Sequence, residues 1–350
     1  MQQITYPDKL NLVSVLGETI SKMSTVQNLN NYYVSGTSGS DSTGNGMISN
    51  PWKTITKAIN VLNAISGDIT ATINIAAGTY TETFPTITKS GISLIGASSL
   101  PNVTVLTGFI AFNMTTNSSS FSIGGFQNIQ LNNYLAHYQG HGSKNSLNVS
   151  NCLFVPPNNK NAITTGLIGI GSVLPDMTVR DCIIYMSNFS AVYISNTIVS
   201  MYNTQLTNNP NLIEDTSFIE VHGSGQINLS GCSITQAFGG FDVDPLININ
   251  NTATVNSSSN INNCMLVYTS AANQGTRKKC IDFSGTADMK TYTIINNYFR
   301  CEGQTDNFCI RVSSTPQLNL LIGQNIAAGT VKNVTGEYGN YTKTTLSPVS

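Results

Sequence analysis

The pattern that organises this chain is clearest in the stretch LNVSNCLF, at residues 147–154. Apolar and polar residues alternate over its first four positions, and Asn, Cys and two apolar residues follow. Alternation with a period of two places Leu147 and Val149 on one face of a β-strand and their polar neighbours on the other. Asn151 suits the left-handed backbone of a tight turn. The stretch therefore predicts a strand, a one-residue turn and a second strand, with the Cys pointing inward.

The same pattern recurs along the chain at intervals of 22 to 33 residues. The predicted turn residues are Gly96, Gly125, Asn151, Asp181, Asn203, Gly231, Asn263 and Asn296. One coil hides only about two or three apolar side chains and cannot enclose a core, whereas stacked coils can. A repeat of this length built from strands is typical of a solenoid. We therefore predict one elongated domain of about eight or more stacked coils.

Composition limits the classes of partner. Charged residues make up 9 % of the 350-residue chain and the net charge is −1, so there is no basic surface for nucleic acid. The first residues lack a basic region followed by an apolar run, and no apolar stretch is long enough to cross a bilayer. The sequence therefore predicts a protein made in the cytoplasm, with no secretory signal, no membrane span and no cofactor.

The seven cysteines are an odd number, which excludes a complete disulfide framework. Four of them share the inward position next to the turn: Cys152, Cys182, Cys232 and Cys264. We expect them to form a stack of buried, reduced thiols that behave as small apolar side chains. Bridges between neighbours in this set are the alternative, because adjacent coils bring them close. Cys301 and Cys309 flank a loop and form another possible pair.

The segment before the repeat has a different pattern. Residues 32–35 read as a strand, and Asn50-Pro51-Trp52 predicts a helix start with Asn50 as its cap. Apolar residues at helical spacing follow, namely Ile55, Ala58, Ile59 and Leu62. The segment therefore predicts one helix before the first coil.

This N-terminal segment also resembles a known family. Its motifs are YVS, GSD, GNG, NPWKTITKAI, GD and IAAGTYTE, in that order within residues 33–82. They resemble the N-terminal cap of right-handed parallel β-helix proteins of the pectin-lyase-like superfamily, in which a helix plugs the open end of the rod. The resemblance implies an all-β, single-stranded right-handed parallel β-helix of about eight to ten coils with an N-terminal capping α-helix. It leaves function open, because one fold hosts many activities.

We expect four regions along the chain. Residues 1–30 form an N-terminal extension with a short helix at 11–23, and residues 31–90 form the cap and first coil. Residues 91–310 form the parallel β-helix. Residues 311–350 lose the repeat and form a C-terminal cover or tail.

Candidate catalytic residues come from a second strand in each coil. In FIEVH, at residues 218–222, inward Ile219 and Val221 leave Glu220 and His222 outward. Asp282 takes the matching outward position two coils later, about 10 Å from Glu220 by the rung spacing. This is near the separation of about 6.5–9.5 Å between the two carboxylates of inverting glycosidases. The pair therefore suggests a polysaccharide hydrolase, whereas scattered carboxylates on a long surface are the simpler explanation.

The remaining candidates suggest binding. Tyr193 and Asn248 match the position of Glu220 in neighbouring coils, and Tyr202 lies outward on the repeat strand. Asp242 and Asp244 match a fragment of a calcium site, although two aspartates at this spacing are also common in an ordinary loop. The resemblance allows a further check, because polygalacturonase-like members carry an Asp-Asp pair that this chain lacks.

The sequence favours a non-catalytic structural or adhesive β-helix protein, best suited to a virion as a capsid-associated, fibre or spike component. Its expected partners are other particle proteins or surface glycans, and an oligomer is compatible with the rod. The alternative is a carbohydrate-active enzyme, either a glycoside hydrolase or a polysaccharide lyase, acting through Glu220 and Asp282. A glycan-binding protein without catalysis is the third hypothesis.

Overall fold

The structure is a computed structural model. It describes residues 30–67, 69–89, 91–114, 123–140, 146–157, 160–168, 176–186, 189–208, 217–237, 245–252, 258–269, 279–285, 290–302, 308–312, 318–323, 325–328, 341–343 and 347–348. The helix predicted at 11–23 lies outside these residues.

Three parallel sheets run along the molecule, and each coil passes from one sheet to the next. The first sheet has twelve strands: Asn31–Val34, Ala71–Ile75, Ile92–Gly96, Ile123–Gln127, Ser146–Ser150, Asp176–Arg180, Ile198–Tyr202, Gln226–Ser230, Ser258–Asn262, Lys290–Ile295, Leu318–Gly323 and Tyr341–Lys343. The second has eleven: Gly78–Tyr80, Thr104–Leu106, Gln130–Leu131, Leu153–Phe154, Ile183–Met186, Gln205–Asn208, Ser233–Ala237, Met265–Thr269, Tyr298–Glu302, Ile326–Ala328 and Ser347–Pro348. The third has eight: Ile110–Met114, Leu135–Gly140, Ile163–Ile168, Val192–Ser195, Ile219–Gly223, Ile247–Asn251, Lys279–Phe283 and Phe308–Val312.

This architecture is a right-handed parallel β-helix, and the fold class predicted from the sequence is confirmed. Strands that follow each other within one sheet are one coil apart in the chain, and their residues pair in register. The third sheet counts eight coils that contribute to all three sheets. The first and second sheets continue past residue 310, as far as Pro348, although the sequence repeat is lost there.

The turn between the first and second sheets uses one residue with a left-handed backbone. Its φ angles lie between +48° and +66° at Asn128, Asn151, Asp181, Asn203, Gly231, Asn263 and Asn296. Six of these seven positions were predicted. The prediction of Gly125 was wrong, because Gly125 pairs with Asn148 inside a strand and the turn of that coil is at Asn128. The Gly124-Gly125 doublet has the composition of a turn, although the strand continues through it to the buried residue Phe126. The prediction of Gly96 was wrong as well, because Gly96 ends the strand Ile92–Gly96 and its backbone is not left-handed.

The interior of the stack is mainly apolar among the described residues. In the first sheet, one inward row consists of Val149, Val179, Met201, Leu229, Ile261 and Ile294, each at most 2 % exposed. The turn-proximal cysteines are buried at 1–2 % exposure, as predicted. No coil could keep these side chains dry alone, so the coils stabilise each other by sharing one core.

The capping helix spans Ile55–Asn63 and buries its four predicted apolar residues. Its N-cap is Thr54, whose hydroxyl accepts a hydrogen bond from the Lys57 amide, so the prediction of Asn50 as cap was wrong. The Asn50 amide instead donates to the Thr43 carbonyl at 2.9 Å. The Glu82 carboxylate accepts hydrogen bonds from two backbone amides of the first helical turn. These bonds connect the helix to the first coil. Among the described residues, no helix is long and apolar enough to cross a membrane.

Candidate functional site

The outward row of the third sheet changes its chemistry along the stack. The paired residues are Ala111, Ala136, Thr164, Tyr193, Glu220, Asn248, Asp282 and Arg311. The alternation in the sequence therefore placed Tyr193, Glu220, Asn248 and Asp282 in the correct row. After the two alanines, each rung carries a different residue, which is more typical of a site than of a repeated structural ladder.

At the centre of this row lies a group of four side chains, which we call the Glu220 cluster: Ser190, Tyr193, Glu220 and His222. The Ser190 hydroxyl donates to Glu220 Oε1, and His222 Nε2 lies 3.0 Å from Glu220 Oε2. The His222 ring also stacks on Tyr193, with ring centroids 4.8 Å apart. The side chains of Glu220 and His222 are 24 % and 28 % exposed, so the cluster is open to solvent.

The surroundings of Glu220 favour its ionised form. The hydrogen bond from His222 lowers the pKa of Glu220, partial burial works against this, and the Ser190 hydroxyl lowers the pKa further. The net direction is downward. Because an ionised carboxylate only accepts hydrogen bonds, His222 Nε2 carries the proton in this contact. Glu220 is therefore an anion near neutral pH and does not hold a proton for a leaving group.

The cluster does not form a nucleophile triad. In a Ser-His-Asp arrangement the histidine takes the serine proton, and the carboxylate orients the histidine. Here Ser190 and His222 both bond the carboxylate, on different oxygens. Ser190 is also 2 % exposed, and its carbonyl accepts the Asn161 amide at 2.8 Å. The Ser190 hydroxyl thus holds Glu220 in place and does not face a substrate.

The second carboxylate candidate lies two rungs from Glu220, as predicted, with Asn248 between them. The rung spacing gives a separation of about 10 Å. Asp282 is only 4 % exposed, so the expectation that it faces solvent was wrong. The side-chain oxygen of Asn248 accepts a hydrogen bond from the Ser284 hydroxyl at 2.7 Å. The row therefore presents one accessible carboxylate, Glu220, beside a covered one.

The other predicted residues do not join the cluster. Tyr202 lies on the first sheet, where the Arg180 guanidinium sits 4.0 Å from its ring centroid. Asp242 and Asp244 lie outside the described residues. Within the part of the chain that the structure describes, no three His, Cys, Asp or Glu side chains converge as a metal ion would require.

One residue of the cluster was missed by the sequence analysis. Ser190 precedes its strand, and alternation along the strand says nothing about it. A signal was present in the segments NAI, SAV and SFI, which begin at Asn161, Ser190 and Ser217 and enter the third sheet at equivalent positions. A polar residue at this entry point lies two positions before the strand begins and is not counted with it.

His137 belongs to the interior. It lies in the strand Leu135–Gly140 and pairs with Phe112 in an inward row. It is 1 % exposed, and burial lowers the pKa of His137 to about 4. The side chain is neutral at pH 7 and is separate from the Glu220 cluster.

The three sheets, the one-residue turn and the capping helix define a capped right-handed parallel β-helix protein. The chain belongs to the DUF1565 family, described as proteins of unknown function, whose model matches residues 37–327. No curated protein matches the sequence.

Several solved structures are similar in fold. Pectin methylesterase from carrot is 14 % identical, with 90 % of this chain and 89 % of that chain covered and a TM-score of 0.40. The GH136 lacto-N-biosidase from Eubacterium ramulus is 10 % identical, with coverages of 93 % and 69 % and a TM-score of 0.40. Geobacillus virus E2 ORF18 is 12 % identical, with coverages of 98 % and 64 % and a TM-score of 0.40. Likenesses of this size concern the fold alone and carry no argument about activity.

Proposed function

We propose that this chain is a non-catalytic structural or adhesive rod on the outside of a particle, in the manner of a virion fibre, spike or capsid-associated protein. The observation that carries the proposal is the state of the two candidate carboxylates. Glu220 is held as an anion by Ser190 and His222, and Asp282 is covered. An inverting hydrolase needs one protonated carboxylic acid and one accessible base. Glu220 is therefore unsuited to be the acid, and Asp282 is not accessible as the base.

The surface of the first sheet supports a structural role. Side chains on successive rungs bond one another: Asn228 donates to Ser200 at 3.3 Å, and Asn260 donates to Asn228 at 3.2 Å. At the turn, Asn151 donates to Asn128 at 2.8 Å. Ladders of this kind join neighbouring coils and favour a stiff rod. The low charge of the surface suits contact with neutral protein or glycan surfaces better than contact with nucleic acid.

The partners that we propose are other proteins of the particle or glycans on a target surface, with self-assembly of the rod as a further option. Peptide mass spectrometry of density-purified particles tests this location. We expect peptides of this chain to co-sediment with the particle and to disappear when intact particles are treated with protease after mild heating. Absence of the chain from every particle fraction of producing cells would contradict the proposal.

An assay on polysaccharides tests the enzyme alternative directly. A panel of neutral and acidic polysaccharides is incubated with the protein, and reducing ends and unsaturated products are measured. We expect no turnover above the Glu220→Gln, Asp282→Asn double variant. Product formation that is lost in this variant would replace our proposal with a hydrolase or lyase.

A second candidate function, glycan binding without catalysis, is favoured by the Glu220 cluster. The stacked rings of Tyr193 and His222 and the carboxylate of Glu220 are together at the surface. A sugar can place its apolar face on an aromatic ring and donate hydroxyl hydrogens to a carboxylate. Glycan-array binding should fall at least about tenfold in Tyr193→Ala and Glu220→Gln, since each loses a contact of about 1.4 kcal/mol or more. Tyr202→Ala, on the first sheet, is the matched control, and equal loss in that variant would count against this site.

A further inference from the structure

Four interior cysteines are arranged as two pairs in consecutive coils. Cys152 and Cys182 directly precede the paired residues Leu153 and Ile183 of the second sheet. Cys232 and Cys264 directly precede the paired residues Ser233 and Met265 in the same way. Thr204 takes the equivalent position in the coil between the two pairs. Each pair therefore occupies neighbouring rungs of one inward stack.

The two cysteines of each pair lie on neighbouring rungs in the same register. In the first pair, the Cys152 amide donates to Cys182 Sγ at 3.4 Å. All four are reduced in the structure and are at most 2 % exposed.

This arrangement fits the geometry of a disulfide. Neighbouring rungs are about 4.8 Å apart, within the Cα separations of about 4.4–6.8 Å that disulfides span. The amides of Cys152 and Cys264 bond side-chain atoms, whereas their carbonyls accept the amides of Ile183 and Tyr298. Joining Cys152 to Cys182 displaces Cys182 Sγ from the Cys152 amide but requires no backbone–backbone hydrogen bond of that amide to break.

We propose that Cys152–Cys182 and Cys232–Cys264 are two sites at which disulfides join consecutive coils when the chain folds in the presence of a small-molecule disulfide. One thiolate attacks the donor and releases one thiol. The second protein thiolate then attacks the mixed disulfide and releases the other, so two protein thiols are oxidised as one donor disulfide is reduced to two thiols. Each bond closes a loop of about 30 residues and adds a covalent link between two coils that are otherwise held by hydrogen bonds and shared packing.

The timing of this reaction follows from burial. Burial raises the pKa of Cys152 well above its usual value, and exchange requires a thiolate that the donor can reach. Both conditions are met before the coils stack and are lost afterwards. The oxidation state is therefore set during folding and is then retained by the rod.

A third pair provides an internal comparison. Cys280 and Cys309 lie in register on the third sheet, between the paired residues Lys279–Phe308 and Ile281–Ile310. They sit in mid-strand, where paired neighbours on both sides hold them at the rung spacing of about 4.8 Å, wider than the usual Cβ separation of about 3.8 Å. We expect a smaller fraction of molecules to form the Cys280–Cys309 disulfide than to form the two disulfides beside the turn. The prediction that Cys309 pairs with Cys301 is not supported by the register, which places Cys301 opposite Tyr268.

Refolding of the full chain from denaturant tests the proposal. One sample refolds with excess oxidised glutathione and the other with excess reduced glutathione, and free thiols are then blocked in denaturant. Before blocking, intact mass should fall by about 2 Da per bond in the oxidised sample, since each bond releases two hydrogens. After blocking, the oxidised chain should carry two fewer blocking groups per bond. Non-reducing peptide maps should show the 152–182 and 232–264 links, and thermal unfolding should shift upward by several degrees relative to the reduced sample. Adding oxidised glutathione to the folded, reduced protein should form these bonds at least about tenfold more slowly.

Matched variants separate the two sites. The Cys152→Ala, Cys182→Ala variant should lose one link and roughly half of the thermal shift between oxidised and reduced samples, and Cys232→Ala, Cys264→Ala should lose the other. Each variant serves as its own reference, since both samples carry the same cavity. The proposal is overturned if both turn-proximal pairs remain reduced after oxidative refolding to the native far-UV spectrum, or if the links join other cysteines. Equal rates of oxidation before and after folding would overturn the timing.

Discussion

The turn between the first and second sheets and the outer row of the third sheet obey opposite rules. At the turn, the same left-handed backbone recurs from coil to coil and is filled by Asn, Asp or Gly. Along the middle of the outer row, three successive rungs carry three different residues, Tyr193, Glu220 and Asn248. A residue type that recurs in every coil is required for the coils to stack. A position whose residue type changes from coil to coil is free of that requirement and can carry a binding residue, as in the Glu220 cluster.

The largest expected effect comes from breaking the shared interior. Val179→Asp places a carboxylate in an inward row where the parent side chain is fully buried. We expect a loss of about 3–5 kcal/mol in the free energy of unfolding, because the buried charge has no compensating partner. Urea unfolding followed by circular dichroism measures it. Thr178→Asp, the outward neighbour on the same strand, is the control and should change stability by less than about 0.5 kcal/mol. Equal losses in both variants would contradict the alternation of faces.

The next effect concerns His137 inside the third sheet. Its folded pKa of about 4 lies below the unfolded value near 6.5, so the unfolded chain binds a proton first as the pH falls. Stability is therefore lost below about pH 6.5, by about 2 kcal/mol between about pH 7 and pH 5. His137→Leu should remove this part of the pH dependence. Phe112→Leu, on the adjacent rung, changes packing without a titrating group and should keep the parent slope. Parallel curves for His137→Leu and the parent would contradict the prediction.

A smaller effect tests the turn itself. Asn203 has φ +48°, and its amide donates to Asp181 Oδ1 at 3.3 Å. Asn203→Val should cost about 1–2 kcal/mol, because a β-branched residue is strained in the left-handed region. Asn203→Gly should be close to neutral, as the natural Gly231 at the equivalent position suggests. Gln205→Val, an exposed strand residue two positions later, controls for the valine itself. The measurement is the midpoint of urea unfolding. An unchanged midpoint in Asn203→Val would show that the turn does not require a residue that favours the left-handed backbone.

These two regions also show how far the sequence alone could lead. The coils were predictable because a one-residue turn leaves the period of the strands intact on both sides, as at Asn151 and Asp181. The error at Gly125 arose because a glycine inside a strand carries the same signal as a glycine in a turn. The row of Glu220 was predictable from alternation, since pairing in register fixes which residues share a line.

The composition of the site was less predictable. Burial of Asp282 depends on what covers the third sheet from outside, and the strand pattern holds no information about this. Ser190 reaches Glu220 from the preceding coil, across 30 positions in the chain, so only three-dimensional stacking brings them together. The cysteine pair 280–309 likewise becomes visible only through the register of two strands. Contacts between coils in the third sheet therefore required the structure.

The smallest predicted effect tests the Glu220 cluster. The contact with His222 lowers the pKa of Glu220 in the folded chain, so its contribution to stability is present above the unfolded pKa of about 4.3 and is lost as the pH falls through the lower folded value. Because the side chain is partly exposed, we expect this contribution to be about 1 kcal/mol or less. Glu220→Gln should flatten the stability profile below about pH 4.5, as measured by urea unfolding across pH.

His222→Gln is the matched variant for this last effect, since a glutamine can still donate a hydrogen bond to Glu220 but carries no positive charge. If the hydrogen bond from His222 is the main cause of the lowered pKa of Glu220, His222→Gln should retain most of the pH dependence. A profile as flat as that of Glu220→Gln would assign the effect to charge instead. Parallel profiles for Glu220→Gln and the parent would mean that the carboxylate is not held by its neighbours, and the argument against an acid catalyst at Glu220 would then fail.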